Sequence, residues 1–168
     1  MSRLPRPVRE LLRLERGEKV LAHASTRGGS VVAATGHALH VPDGRGGFTR
    51  VPWEKVLRAS WQGDRLHVQG DDTDYQVRLV APGSVPEVVQ ERVTSTVVVS
   101  RHFDLEPGTV DGGGVRIVGR RPTHDRPSPS REELLWAMVF DEGVDSDDPK
   151  VRAKAEQLLQ AVRRQVGL

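Results

Sequence analysis

The stretch 31–68, VVAATGHALHVPDGRGGFTRVPWEKVLRASWQGDRLHV, is cut by glycine, proline and aspartate into short apolar runs, and that rhythm leaves room for little besides antiparallel strands. Residues 31–35 and 38–41 are β-prone runs, and the cluster from Pro42 to Gly47 has the composition of a turn. Residues 48–51 return as a strand. Pro52 has no N–H to give to a ladder, so Trp53, Glu54 and Lys55 should bend the chain before 56–61 resumes. Gly63-Asp64 then turns it into 65–69.

The flanks extend the series. Residues 19–25 read as an earlier strand, with 26–29 as the turn into the next. Residues 75–80 close it, with Tyr75, Val77 and Leu79 alternating against Gln76 and Arg78 in the period-two pattern of a half-buried strand. Asp71, Asp72 and Asp74 crowd the preceding turn without the Gly and distant Glu of a calcium loop. Ser84 and Glu87 have capping-box spacing, and Val85, Val88, Val89 and Val93 form one apolar stripe, which predicts a helix from Ser84 to about Thr96. Upstream, Pro7 suits a first helical position, and Val8, Leu11 and Leu12 predict a short amphipathic helix within 1–16 that ends near Gly17. Its other face carries Arg9, Arg13 and Arg16 interrupted by Glu10 and Glu15, the composition of a solvated face.

Seven strands in a meander followed by one helix is the layout of a pleckstrin-homology (PH) split barrel, and three local patterns in 17–98 carry the likeness. They are Gly17-Glu18-Lys19-Val20-Leu21 at the first strand, Thr35-Gly36-His37-Ala38-Leu39 between the second and third, and Val51-Pro52-Trp53-Glu54-Lys55-Val56 at the bend. In these the segment resembles the bacterial PH-like and GRAM-like modules. The resemblance implies a seven-stranded split barrel capped by a helix and brings no catalytic residue with it. It does not extend to the long basic loop of phosphoinositide-binding members, because 26–29 is short and holds only Arg27.

Beyond the helix, 97–105 reads as a strand, 106–114 as a turn and 115–121 as a second strand, with 123–130 as a surface loop. Residues 134–140, LLWAMVF, are apolar on both alternate faces. They read as a strand completing a three-stranded meander, with a helix capped from Ser130 as the competing reading. Asp148 as N-cap and Pro149 at the first position begin a final helix whose face Val151, Ala155, Leu158, Leu159, Val162 and Val166 should pack on that meander. The fold class expected is therefore α+β, mainly β: an N-terminal helix in 1–16, the capped barrel in 17–98, and a β-meander plus helix in 99–168. With no Gly, Pro or Ser-rich linker between Val93 and Phe103, the two parts are expected to unfold together, and a chain ending near Ser100 is expected to be less stable than the whole.

The chemistry legible in the residues is mostly exclusion. With no cysteine there is no disulfide framework, thiolate metal site or cysteine nucleophile, which fits a reducing, cytoplasmic setting. No apolar run approaches a membrane span, and the N-terminus has no uninterrupted apolar core of a signal peptide. His37 and His40, three apart on extended chain, point to opposite faces, so neither a metal nor a cofactor is expected. There is no nucleophile elbow, and Asp111-Gly112-Gly113-Gly114 lacks the Lys and following helix of a phosphate loop. The chain has 25 basic and 23 acidic residues, a net charge of +2 that points to no particular partner.

These readings describe a non-enzymatic protein–protein interaction module that binds through a sheet edge or the groove beside the capping helix, its partner an unidentified protein or a second copy of the chain. The alternative is weak nucleic-acid binding by the Arg-rich C-terminal hairpin, with Arg116, Arg120, Arg121, Arg126 and Arg131 on phosphates and Trp136 stacking on a base. Asp125, Glu132 and Glu133 among those arginines, and an aromatic content of only 4%, weigh against it.

Overall fold

A computed structural model describes residues 3–70, 73–105, 113–123 and 134–166. Within them the fold is α+β and mainly β, with ten strands in three antiparallel sheets and three α-helices. The chain divides into two compact units, 1–96 and 97–168.

The first unit opens with helix α1 (Arg6–Leu12), followed by strands β1 (Val20–Ser25), β2 (Val31–Thr35), β3 (Ala38–Pro42) and β4 (Phe48–Pro52), which pair in that order in one sheet. A 3-10 turn at Trp53–Lys55 leads into β5 (Val56–Gln62), β6 (Arg65–Gly70) and β7 (Asp74–Arg78), a second sheet in sequence order. The two sheets do not close into a barrel; they meet at a corner where Thr26 bridges Leu79 and the Val80 N–H donates to Ser25 O at 2.9 Å. Helix α2 (Val85–Ser95) covers the inner faces, adding buried Val85 and Val89 to a core of Val32, Leu39, Val41, Trp53, Val56, Leu66, Val68 and Leu79.

One helix boundary and one cap differ from the sequence reading, while α2 begins and ends where its stripe placed it. α1 stops at Leu12, well short of Gly17, because Arg13 is left-handed (φ 51°) and the Glu15 N–H that a longer helix would use is held by the Glu18 carboxylate at 2.8 Å. The Ser84–Glu87 capping box does not form: Ser84 has φ −93° and ψ 8°, outside the extended region that aims a capping side chain at the helix, and its hydroxyl caps nothing. α1 nevertheless has a clear purpose. Buried Leu4 and Leu12, with Val8, pack on Ala33, Val31 and Phe48, which covers the outer face of the four-stranded sheet. β2 and β3 therefore lie between two apolar layers, and their burial is nearly continuous instead of alternating.

The second unit consists of β8 (Val97–Asp104), β9 (Gly114–Arg120), β10 (Leu135–Phe140) and α3 (Pro149–Gln165). The strands form an antiparallel meander with β9 in the middle. The ambiguous apolar run is thus a strand, in continuous register with β9 from Leu135 opposite Arg120 to Phe140 opposite Val115. Asp148 caps α3 by accepting the Lys150 N–H at 2.9 Å, and buried Ala155 and Val162, with Val151, Leu158, Leu159 and Val166, pack on Val115, Ile117, Phe103, Met138 and Phe140. Gly119 lets the Trp136 ring lie close over the sheet, 3.1 Å from where a Cβ would stand.

Candidate functional site

The three local patterns of the first unit converge on one buried cluster. Glu18 enters from the segment between α1 and β1, Thr35 from the end of β2, and Trp53 from the turn after β4. The Thr35 hydroxyl donates its proton to Glu18 Oε1 at 2.5 Å and accepts the backbone N–H groups of His37 and Ala38 at 3.1 and 3.0 Å. Trp53 Nε1–H donates to the Thr35 carbonyl at 2.8 Å, which ties the core aromatic to the same residue.

β3 and β4 supply the remaining partners. His40 and Arg50 stand opposite each other in register, so their side chains share the outer face of the sheet. His40 Nε2 donates to Glu18 Oε1 at 3.0 Å, and Arg50 Nη1 lies 2.8 Å from Glu18 Oε2. Arg50 Nη2 reaches Glu15 Oε2 at 3.2 Å. The Glu18 side chain has no exposed surface. Burial alone would raise its pKa, but the hydrogen bonds from Thr35, the Glu15 N–H, Arg50 and His40 overcome that and hold it at about 2. His40 is shifted down, chiefly because burial disfavours the imidazolium, with the Glu18 hydrogen bond opposing.

Glu15, Glu18 and His37 also bring one ligand-type atom each to within 4.8 Å of one another. Arg50 stands on both carboxylates, so the positive charge they hold is the guanidinium, and a metal ion there would face that charge at contact distance. The chemistry of the cluster is that of a clamp: a closed carboxylate that fastens the N-terminal segment to the sheet. Sequence reasoning quoted Glu18, Thr35 and Trp53 as separate patterns and missed His40 and Arg50. The signal available was Glu18 itself, an acidic residue immediately before an apolar strand.

Arg27, the single basic residue of the β1–β2 turn, is also engaged. Its Nε donates to Asp64 Oδ2 at 2.7 Å, and Arg78 Nε reaches the same oxygen at 3.3 Å, which joins that turn to the β5–β6 turn. The Asp64 pKa is lowered: the two arginines outweigh the desolvation that opposes them.

In the second unit Arg116 and Arg120 do not share a face of the sheet with Trp136. Trp136 pairs with Gly119 and packs half-buried against the α3 side of the sheet, whereas Arg116 and Arg120 occupy alternate positions on the opposite face of β9. Arg116 is exposed and donates to Ser100 Oγ at 3.1 Å; Arg120 is buried, and burial lowers its pKa. Arg121 is exposed beyond the strand end, and Arg126 and Arg131 lie outside the described residues. Beside Arg116, His102 Nε2 and the Gly114 N–H both donate to Asp141 Oδ2 at 2.8 Å, which lowers the Asp141 pKa. Nothing local in the sequence signalled that pairing, because Asp141 is supplied from beyond β10.

Grooves open among the described residues of the first unit. One of about 380 Å³ runs between α1 and β1, a second of about 670 Å³ lies along α1, and a third of about 660 Å³ lies beside α2 against Pro86, Glu87, Gln90 and Thr94. No helix among the described residues is long and apolar enough to cross a membrane. Comparison of the chain with protein-family models, with curated proteins and with solved structures returned no match.

Proposed function

We propose that residues 17–98 are a PH-like split barrel and that the chain works without catalysis, as a module that binds another protein. The four-plus-three division of the strands, the corner at Thr26 and Leu79, and the single helix after β7 support the PH-like reading. The observation that carries the function is that neither sheet closes: β1 and β4 bound one, β5 and β7 the other. An edge strand presents unpaired N–H and C=O groups, and a strand added by a partner satisfies both sides at once. The buried carboxylate, by contrast, is saturated by its own fold, so it has no lone pair to offer a substrate.

The test is photo-crosslinking in cells from single probes at Leu21 on β1, Gln76 on β7 and Gln90 on α2, each exposed. Adducts removed by protease and indifferent to nuclease are the expected product. Adducts that only nuclease removes would replace this reading with nucleic-acid binding, and the absence of any adduct at all three positions would overturn it.

A further inference from the structure

We propose that the groove between α1 and β1 receives an extended acidic peptide segment of a partner protein, laid along the free edge of β1; this deepens the interaction reading above and rests on it. β1 is the outer strand of its sheet, paired with β2 alone until the corner at Thr26. An irregularity in the pairing between Val20 and Ala22 sets Leu21 apart from the β2 register, and Leu21 remains 39% exposed, one of few large apolar side chains left in water. Beside it a groove of about 380 Å³ opens toward α1, with Leu4, Val20 and Leu21 supplying apolar surface.

The charged lining has one sign. Arg3, Arg9 and Lys19 line the groove together with His23, and no Asp or Glu does. Among the described residues Arg3, Arg9 and Lys19 have no carboxylate partner, unlike neighbouring Arg6, which pairs with Glu10 at 3.4 Å. Apolar contacts, one row of unsatisfied backbone groups and uncompensated cations together fit a strand that alternates acidic and apolar residues, because such a strand satisfies all three. Nucleic acid fits less well, since no aromatic ring lines the groove to stack on a base. A lipid surface also fits less well, since a concave slot beside a strand edge gives a flat bilayer little to touch.

The experiment uses the full chain and fluorescence anisotropy with a ten-residue peptide alternating Glu or Asp with Val. Two control peptides accompany it, one with Lys at the acidic positions and one N-methylated at alternate amides so that it cannot donate to a strand. The double variant R9E/K19E should weaken the acidic peptide by roughly tenfold or more, while R58E/R65E, with the same change in net charge on the second sheet, should change it by less than about twofold. The N-methylated and Lys peptides should not bind measurably.

Equal loss in both double variants, or full binding of the N-methylated peptide, would reduce the effect to net charge and overturn the proposal. Binding only to phosphatidylserine vesicles, abolished by R9E/K19E, would reassign the groove to membranes. If the peptide fails while protein adducts still form from probes at Gln76 or Gln90, the groove assignment falls and the interaction module stands. If no position gives a protein adduct, both fall.

Discussion

A carboxylate with no exposed surface is stable only when every acceptor site on it is taken, and Glu18 meets that condition through residues drawn from three strands and its own loop. Its pKa lies at about 2 in the fold against an ordinary 4.5, so the folded state binds the proton less readily than the unfolded chain. The resulting stabilisation is complete above pH 4.5 and is lost as pH falls toward 2; the shift is equivalent to about 3 kcal/mol. His40 adds a separate window. Its folded pKa is depressed, so its contribution is full above the ordinary 6.5 and declines as pH falls below that. Glu18→Gln should cost roughly 3 kcal/mol at neutral pH, because Arg50 loses the buried one of its two carboxylate partners, and it should remove the part of the acid slope that lies between pH 4.5 and 2. Urea unfolding of both proteins at pH 7, 4 and 3 measures this, and curves displaced by the same amount at all three values would refute it. The acidic, hydroxyl and aromatic members of the cluster each stood in a separate local pattern of the sequence, with nothing to join them. His40 and Arg50 were not, since their partnership with Glu18 depends on strand register across 22 and 32 residues.

Among the elements, strands bounded by Gly, Pro and Asp were legible because their breakers act locally; β2, β3, β5 and β6 lie where β-prone runs and turn chemistry put them. A helix end is less legible when a nearby side chain competes for the backbone N–H groups that would continue the helix. α1 illustrates this: Glu18 captures the Glu15 N–H, and the helix ends at Leu12. Its position is then set by packing, with Leu12 only 4% exposed against the outer face of the sheet. Leu12→Ala should therefore destabilise the first unit by roughly 2–4 kcal/mol, whereas Leu11→Ala, at a side chain 51% exposed, should change it by less than about 0.5 kcal/mol. Chemical unfolding of the two variants checks the contrast, and equal effects would show that α1 does not pack as described. The run 134–140 was ambiguous for a different reason. Both of its faces are apolar, so periodicity could not choose, and pairing with β9 made it a strand. At the crossing with Trp136, Gly119→Ala places a methyl group about 3.1 Å from the ring and should cost roughly 1–3 kcal/mol through displacement of the indole, visible as a shift in Trp136 fluorescence.

At the scale of the whole molecule, continuity of chain and cooperativity of folding are separate matters. Helix α2 runs into β8 with no linker, which led the sequence reading to expect one unfolding transition, yet the compact units divide at Thr96, inside that continuous run. Each unit has a buried core of its own: Trp53, Leu39, Val56 and Leu66 belong to the first, Ile117, Val115, Ala155 and Val162 to the second. A unit that buries its own apolar surface can unfold as its own cooperative block. Tryptophan reports on both, since Trp53 and Trp61 belong to the first unit and Trp136 to the second. With 5-fluorotryptophan incorporated, fluorine spectra recorded on heating should show the folded Trp53 and Trp136 signals disappearing at different temperatures. Glu18→Gln should lower the midpoint reported by Trp53 by roughly 12–24 °C, in line with a loss of about 3 kcal/mol from a domain of this size, and leave the Trp136 midpoint in place. If both signals vanish together and the variant moves them equally, the two cores melt as one, and the uninterrupted passage from α2 into β8 couples them as the sequence alone suggested.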